Sequence, residues 1–199
     1  MGIVTPGFRG RGRDDAVELP PGQYLTHDFP VLQAGPTPRV EVADWSFTVT
    51  TEGGEEHAWS WSEMQALPQE TPTVDIHCVT KWSKLGTSWR GVSIDTFLED
   101  VETAAEFALV RCFDGYTTNL PLEDLLDGQA WVVHEFDGEA LEPWHGGPAR
   151  LLVPHLYFWK SAKWVSGIDL LLEDEPGFWE QLGYHEYGDP WREQRYAGD

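Results

Sequence analysis

Short hydrophobic runs separated by glycine, proline and charged residues are the main pattern along this chain. Residues 44–50 alternate aromatic or aliphatic with polar positions, as a strand with one buried face does. Similar patterns predict further strands at 74–79, 107–113, 130–136 and 162–170, and shorter extended pieces at 117–122 and 151–154. Because these strands are interleaved irregularly with short helices, the pattern predicts an α+β fold, mixed and rich in β-structure, built as a single domain.

The helices that the pattern predicts are short. One covers 59–67 and ends at a proline, and a second begins at Ser93, whose side chain suits the N-cap position. The stretch between the 74–79 strand and Ser93 is predicted to be a loop, because Gly86 and Gly91 interrupt it. The strands are therefore expected to form most of the core.

Composition divides the chain into three parts. Residues 1–23 are polar and rich in Gly, Pro and Arg, which predicts an extended N-terminal arm. Residues 24–172 contain all the predicted strands and form the domain itself. Residues 173–199 are acidic and aromatic, and we expect this C-terminal tail to pack on the surface of the domain.

The charge balance excludes some functions. With 34 acidic residues against 13 basic ones, the net charge of -21 argues against nucleic acid as a partner, since phosphates need Lys and Arg. No apolar run is long enough to span a membrane, and the start has no apolar signal segment, so we expect a cytoplasmic protein. Such an acidic, lysine-poor composition also suggests a halophilic protein, because high salt screens the self-repulsion.

A thiol stands where the 74–79 strand turns polar. Cys78 at that strand end would be held by the sheet and could still face a pocket, where a thiolate is a soft metal ligand or a nucleophile. The alternative is that Cys78 is a small buried hydrophobe. The only other cysteine is Cys112, and we expect both to be thiols because nothing in the sequence indicates secretion.

A glycine-rich loop and two basic residues predict an anion site. The loop runs from His145 through two glycines and a proline to Arg150, and glycine allows a backbone to approach a ligand closely. Arg150 begins an apolar strand, where burial is costly without an anion, and with Lys163 it suits a phosphate group. The alternative is that Arg150 pairs with one of the many carboxylates.

The stretches 78–83, 114–116, 145–154 and 163–165 together resemble the sulfite-oxidase-like molybdopterin oxidoreductases. This family includes sulfite oxidases, plant nitrate reductases and the catalytic subunit of a bacterial periplasmic methionine-sulfoxide reductase. The resemblance covers roughly residues 24–172, in the family's order and approximate spacing, and it implies the molybdopterin-binding fold of that family. It also implies a molybdenum-dependent enzyme that transfers an oxygen atom or carries out a related two-electron step, with a sulfoxide or sulfite as the expected substrate.

The resemblance also implies roles for individual residues. Cys78 stands at the family's molybdenum-ligating cysteine, the metal being bound as well by the dithiolene of one molybdopterin. Arg150, His145 and Lys163 stand at positions that contact the pterin or its phosphate. The remaining implied cofactor contacts are His27, Phe29, Pro30, Val31, Cys112, Ser161 and Ala162.

The chain departs from the sulfite oxidase pattern on the open side of the metal. Ser83 replaces an arginine of the sulfite pocket, and His134 replaces a tyrosine that vertebrate sulfite oxidases hold near the metal. His134 could donate a proton, because its ordinary pKa is near neutral, or it could be a hydrogen-bonded strand histidine. Lys81, Ser83 and Arg90 are the remaining candidates for contact with a substrate.

Two other functions stay open at this point. One is a binding module that keeps the fold without the chemistry. The other is a zinc hydrolase built from Cys78, His77, His134 and His145, although their spacing matches no zinc motif. For the oxidoreductase we expect a small-molecule substrate and a separate electron-transfer partner, since the chain has no room for the haem or dimerisation domain of sulfite oxidases; the sequence does not indicate its oligomeric state.

Overall fold

The computed structural model describes residues 18–199, so most of the predicted 1–23 arm lies outside the described residues. The helices are α1 (Trp61–Ala66), α2 (Ile94–Leu98) and α3 (Phe178–Gln181). The first strands are β1 (Tyr24–Leu25), β2 (Ser46–Thr50), β3 (Glu56–Ser60), β4 (Thr73–His77) and β5 (Trp82–Ser93). The later strands are β6 (Phe107–Cys112), β7 (Thr117–Pro121), β8 (Trp131–Phe136), β9 (Glu139–Ala140), β10 (Arg150–Leu152) and β11 (Val165–Leu171). The mixed, β-rich class predicted from the pattern is confirmed.

The strands form two sheets. In the first, β5 pairs with β1, β4 and β8, β8 continues to β10, and β9 adds to the edge of β8. In the second, the order is β3-β2-β11-β6-β7, with β2 and β11 parallel and the other pairs antiparallel. The first sheet holds β4, whose end carries Cys78, and β10, which carries Arg150, so this sheet positions the residues of interest.

The predicted loop after Cys78 is wrong, because β5 is the longest strand of the described chain and the centre of the first sheet. Gly86 has φ +61, and the pairing of β5 shifts register next to Gly91, so both glycines are irregularities within a strand. A Cβ on Gly91 would collide with the carbonyl of Val132 on β8. Gly91 therefore permits β5 and β8 to approach each other closely, a common reason for glycine inside a sheet.

The other differences from the prediction are smaller. The predicted 59–67 helix begins two residues later, because Trp59 belongs to the edge strand β3 that the pattern did not predict. Ser60 then caps α1: its side chain accepts from the Glu63 N–H, and the Glu63 carboxylate accepts from the Ser60 N–H at 2.8 Å. The last core strand begins at Val165, three residues after the predicted start. Ser93 caps α2 as predicted.

Two hydrophobic cores support the sheets. The larger one contains Phe47, Val110 and Ile168 of the second sheet together with Phe97 of α2. The smaller one lies at the first sheet, where Cys78 and Trp82 pack with Trp89 and other apolar residues. The smaller core therefore fixes the position of the Cys78 side chain.

The residues after β11 lie against the body of the protein through a buried ion pair. Lys160 and Glu180, both fully buried, are 2.7 Å apart, and Glu180 also accepts hydrogen bonds from Thr118 and Trp159. Lys160 donates in turn to the Asn119 carbonyl and side chain. Among residues 18–199, no helix is long and apolar enough to cross a membrane.

Candidate functional site

A cavity of about 650 Å³ opens between the smaller core and the segment after β11. Its wall is built from the turn after β4, the 29–38 loop, the 145–150 loop and the stretch 158–164, with Tyr184 and its neighbours from the C-terminal tail. The lining includes Cys78, Phe29, His145, Arg150, Lys163 and Tyr184. Segments far apart in sequence therefore converge on one space.

Cys78 is held in a tight turn at the end of β4. Its N–H donates to the Trp82 carbonyl and its carbonyl accepts from Lys81, both at 2.9 Å, and Lys81 takes the left-handed conformation with φ +78. The thiol lies 3.1 Å from the Thr80 hydroxyl and lines the cavity. Burial raises the pKa of the Cys78 thiol. The sheet thus presents a rigid, neutral thiol that a metal ion would have to deprotonate.

Arg150 is a buried cation that has no anionic partner among residues 18–199. It is 1% exposed, and its guanidinium donates to the carbonyls of His145 at 2.8 Å, Ser161 at 2.5 Å and Leu151 at 3.4 Å. The ring of Phe158 lies 4.1 Å from its central carbon. Among residues 18–199, no carboxylate forms an ion pair with it, so the carboxylate-pairing alternative is not supported. Burial lowers the pKa of Arg150 to about 9.

Lys163 is the second cation on the same wall. Its ammonium donates to the Trp144 carbonyl at 2.7 Å. Burial, and next the positive charge of Arg150, lower the pKa of Lys163 to about 7. Gly146 makes this close packing possible: its φ is +108, and an added Cβ would lie 3.0 Å from Cβ of Arg150 and 3.1 Å from that of Lys163. Two cations are thereby placed where an anion would relieve their repulsion.

His145 joins the loop to the N-terminal part of the described chain. Its ring stacks on Phe29 with centroids 4.0 Å apart, and Nε2 lies 3.1 Å from the Phe29 carbonyl. Burial lowers the pKa of His145, so the neutral ring is favoured. A neutral ring donates from Nε2 to that carbonyl. Pro30 lines the cavity beside Phe29.

Of three further predicted cofactor contacts, two line the cavity and one does not. Ser161 and Ala162 line the cavity, and the Ser161 hydroxyl accepts from the Val153 N–H at 2.8 Å. Cys112 is not on the wall: it packs in the larger core, and burial raises the pKa of its thiol. Both cysteines are free thiols.

Several predicted residues do not reach the cavity. His27 is exposed and its carbonyl accepts from Lys84, and Val31 is also exposed. His134 is buried on β8, where its Nε2 lies 2.9 Å from the Gln69 side chain, as in the hydrogen-bonded alternative. The three candidate substrate contacts also lie elsewhere: Lys81, Ser83 and Arg90.

Two of these residues, Ser83 and Arg90, lie on β5, the strand that the pattern did not predict. Side chains of β5 are fixed by the sheet, so Ser83 is fully buried and bonds Nδ1 of His77 at 2.8 Å. Arg90 pairs with Glu135 on the neighbouring strand at 2.9 Å. The zinc alternative fails for a similar reason, since His77, His134 and His145 are engaged in three separate places. Within the described chain, no three His, Cys, Asp or Glu side chains are grouped as a metal site.

The sequence interpretation missed the aromatic wall of the cavity. Trp159 and the tail residues Phe178, Trp179 and Tyr184 line it. The aromatic content of the tail was visible in the sequence, but nothing there indicated which part of the domain the tail covers. Residues of the 33–38 stretch, which the sequence did not single out, also contribute to the wall.

Comparison with known proteins places this geometry in a family. The family model described as "Oxidoreductase molybdopterin binding domain" matches residues 34–179. The chain is 41% identical over 192 residues to "Uncharacterized oxidoreductase YuiH" of Bacillus subtilis, covering 95% of this chain and 97% of that protein. It therefore belongs to the sulfite-oxidase-like family of oxidoreductases with a molybdopterin-binding domain, as its motifs predicted.

Two further likenesses concern longer proteins. "Putative protein-methionine-sulfoxide reductase subunit YedZ1" of Azospira oryzae is 30% identical over 84% of this chain, which spans 66% of that protein. The crystal structure of the sulfane dehydrogenase SoxCD from Paracoccus pantotrophus superposes with a TM-score of 0.62 at 16% identity, over 69% of this chain and 41% of that one. This last likeness shows the fold.

Proposed function

We propose that the protein binds molybdenum-molybdopterin in the 650 Å³ cavity and works as an oxidoreductase there. The observation that carries this proposal is the buried Arg150, which has no carboxylate partner among residues 18–199 and lies on the same cavity as the Cys78 thiol. A ligand with an anionic group at one end and a soft metal at the other would pair with Arg150 and bind the Cys78 thiolate. Molybdopterin with its metal is such a ligand, and the family is defined by binding it.

The residues at the anionic end fit a phosphate group. Arg150 and Lys163 would neutralise it, and the anion would in turn favour the charged form of Lys163, whose pKa burial lowers to about 7. Gly146 lets the loop pack closely against the Cβ atoms of both residues. The stacked pair of His145 and Phe29 would form the adjoining wall against the pterin.

The residues at the other end fit a soft metal. Cys78 is a rigid thiol that, once deprotonated, is a ligand of the kind such metals select. The bound group supplies two-electron chemistry with oxygen-atom transfer. The chain itself orients the group, closes the pterin side from water and leaves the thiol end of the cavity for a substrate.

The charges on the wall favour a neutral substrate such as a sulfoxide over sulfite. Of the cavity-lining residues, Arg150 and Lys163 are the cations, and they belong to the phosphate end. Lys81 and Arg90, the cations considered for an anionic substrate, lie off the wall. Similarity to a protein named as a putative methionine-sulfoxide reductase subunit agrees with this choice. A separate electron-transfer partner in the cytoplasm completes the proposal.

Metal analysis with matched cysteine variants tests the proposal. Wild-type protein from a host that makes molybdopterin should contain about one molybdenum per chain, and Cys78→Ser should lose it because the soft ligand is removed. Cys112→Ser makes the same chemical change at a thiol off the cavity wall and should keep the metal. Wild-type protein without molybdenum would refute the proposed function. Bound molybdopterin without turnover of any sulfoxide or sulfite would leave only a binding module.

A further inference from the structure

The C-terminal tail closes one side of the cavity with residues at and beyond the end of the family match. That match ends at residue 179, whereas Tyr184 also lines the cavity that contains Cys78. A residue outside the shared domain can differ between members that bind the same cofactor. Tyr184 is therefore a candidate for a role beyond the cofactor binding that the family model describes.

The ring of Tyr184 is held firmly by aromatic neighbours. It packs against Trp159 with centroids 5.2 Å apart and against Trp179 at 5.0 Å. Its outer side contacts Tyr196 at 5.5 Å, and the backbones of the two tyrosines form an isolated bridge. The buried pair of Lys160 and Glu180 fixes the preceding helix to the domain. The tail thus places this side chain at a defined point on the wall.

Contacts also connect Tyr184 to the thiol end of the cavity. The N–H of the next residue, His185, donates to the Arg195 carbonyl at 3.2 Å, and the Arg195 guanidinium donates to the Val79 carbonyl at 3.3 Å. Val79 directly follows Cys78. Tyr184 and Cys78 line the same cavity, so the two side chains face one space.

The phenol of Tyr184 has hydrogen-bonding capacity to spare. Two other tyrosines of the described chain use theirs within the protein: Tyr116 donates to the Trp159 carbonyl and Tyr187 to Asp124. Within residues 18–199, the Tyr184 hydroxyl makes no such bond, although Tyr184 lines the cavity. A ligand in the cavity would therefore find a free donor in this phenol.

We propose that the Tyr184 hydroxyl donates a hydrogen bond to the acceptor oxygen of a neutral substrate bound beside Cys78. This assignment rests on the proposed function, which provides the metal end at which a substrate would sit. The aromatic faces of Trp159 and Trp179 would contact the apolar groups flanking that oxygen. A neutral polar molecule with small apolar substituents matches this surface, because an acceptor oxygen meets the free phenol and no charge is left unpaired.

The test measures binding of dimethyl sulfone, a neutral S=O compound used as an unreactive probe. Its dissociation constant would be followed by tryptophan fluorescence, since Trp159 and Trp179 flank the proposed site, in molybdenum-containing wild type, Tyr184→Phe and Tyr196→Phe. Loss of one hydrogen bond should raise the dissociation constant about five- to tenfold in Tyr184→Phe. Tyr196→Phe removes the same hydroxyl from the neighbouring ring, which does not line the cavity, and should bind like wild type.

Molybdenum content is measured on the same three proteins and should be equal, because Tyr184 does not hold the cofactor. Equal affinity of Tyr184→Phe and wild type would overturn the assignment while leaving the proposed function intact. Binding of sulfite but not of dimethyl sulfone by wild type would also overturn it. Absence of molybdenum from wild type would refute the proposed function instead, so the two failures are distinguishable.

Discussion

Replacing Arg150 with methionine should separate the cofactor site from the stability of the fold. Methionine keeps a long, flexible and apolar side chain but removes the charge. If the role of Arg150 is to bind an anionic group of the cofactor, the cofactor-free protein should keep its stability in this variant, whereas cofactor binding should be lost. For an ordinary structural arginine the opposite is expected.

The structure provides the size of the effect. Burial lowers the pKa of Arg150 from 12.5 to about 9, and at about 1.36 kcal/mol per pKa unit the buried charge costs roughly 5 kcal/mol. The guanidinium is a base whose folded pKa is lowered. The cost is therefore fully present below about pH 9 and is relieved only as the pH rises further toward 12.5.

Removal of the charge also loses favourable contacts. Three carbonyls lose a donor, at about 1 kcal/mol each, and the contact with Phe158 contributes about 1 kcal/mol more. The free energy of unfolding of cofactor-free Arg150→Met should thus lie between the wild-type value and about 2 kcal/mol above it.

Urea unfolding near neutral pH measures this difference on protein from a host without molybdopterin. Protein from a competent host is analysed in parallel for molybdenum, which Arg150→Met should lose. Arg111→Met is the matched control, since Arg111 pairs with Asp169 on β11 and is 38% exposed; it should keep its molybdenum. A variant that lost about 3 kcal/mol or more but still bound molybdenum would refute the reasoning and make Arg150 a structural residue.

Three further predictions follow from buried and surface charges. Lys160→Met should lower the free energy of unfolding by about 3 to 5 kcal/mol, because Glu180 is left buried without its cation, and Lys160→Met/Glu180→Gln should recover part of the loss in urea unfolding. Sulfate binding to cofactor-free protein, followed by calorimetry, should weaken as the pH rises through the Lys163 pKa of about 7, since the protonated ammonium attracts the anion; a pH-independent affinity in wild type, or an unchanged pH dependence in Lys163→Met, would contradict this. The melting temperature should rise from low to molar KCl because salt screens the net charge of -21, and an unchanged or lower value would exclude the halophilic interpretation.

Local patterns predicted those parts of the fold that local interactions stabilise. The alternation of Ser46–Thr50 predicted β2, and the hydroxyl of Ser93 predicted the start of α2, because period and capping depend on neighbours in sequence. Strand β5 was missed since its two glycines suit a loop, and only its partners on both sides make it a strand. Pairing with distant segments overrides local propensity in such a case.

The four lysines illustrate what tertiary structure alone decided about the site. They are Lys81, Lys84, Lys160 and Lys163; of these Lys163 lines the cavity, while Lys160 is buried in an ion pair with Glu180. Both are lysines of one short stretch, yet Lys160 turns to Glu180 of the tail, whereas Lys163 turns to the Trp144 carbonyl next to the 145–150 loop.

The sequence by itself determined the thiol at a strand end, the loop from His145 to Arg150 and, through these motifs, the family. Motifs of this kind are local, so their chemistry can be recognised before the fold is known. The tertiary structure decided which of the candidate cations share a cavity with Cys78, that His134 is engaged elsewhere, and that the tail brings Tyr184 to the wall. Convergence of distant segments depends on long-range packing, which no local pattern encodes.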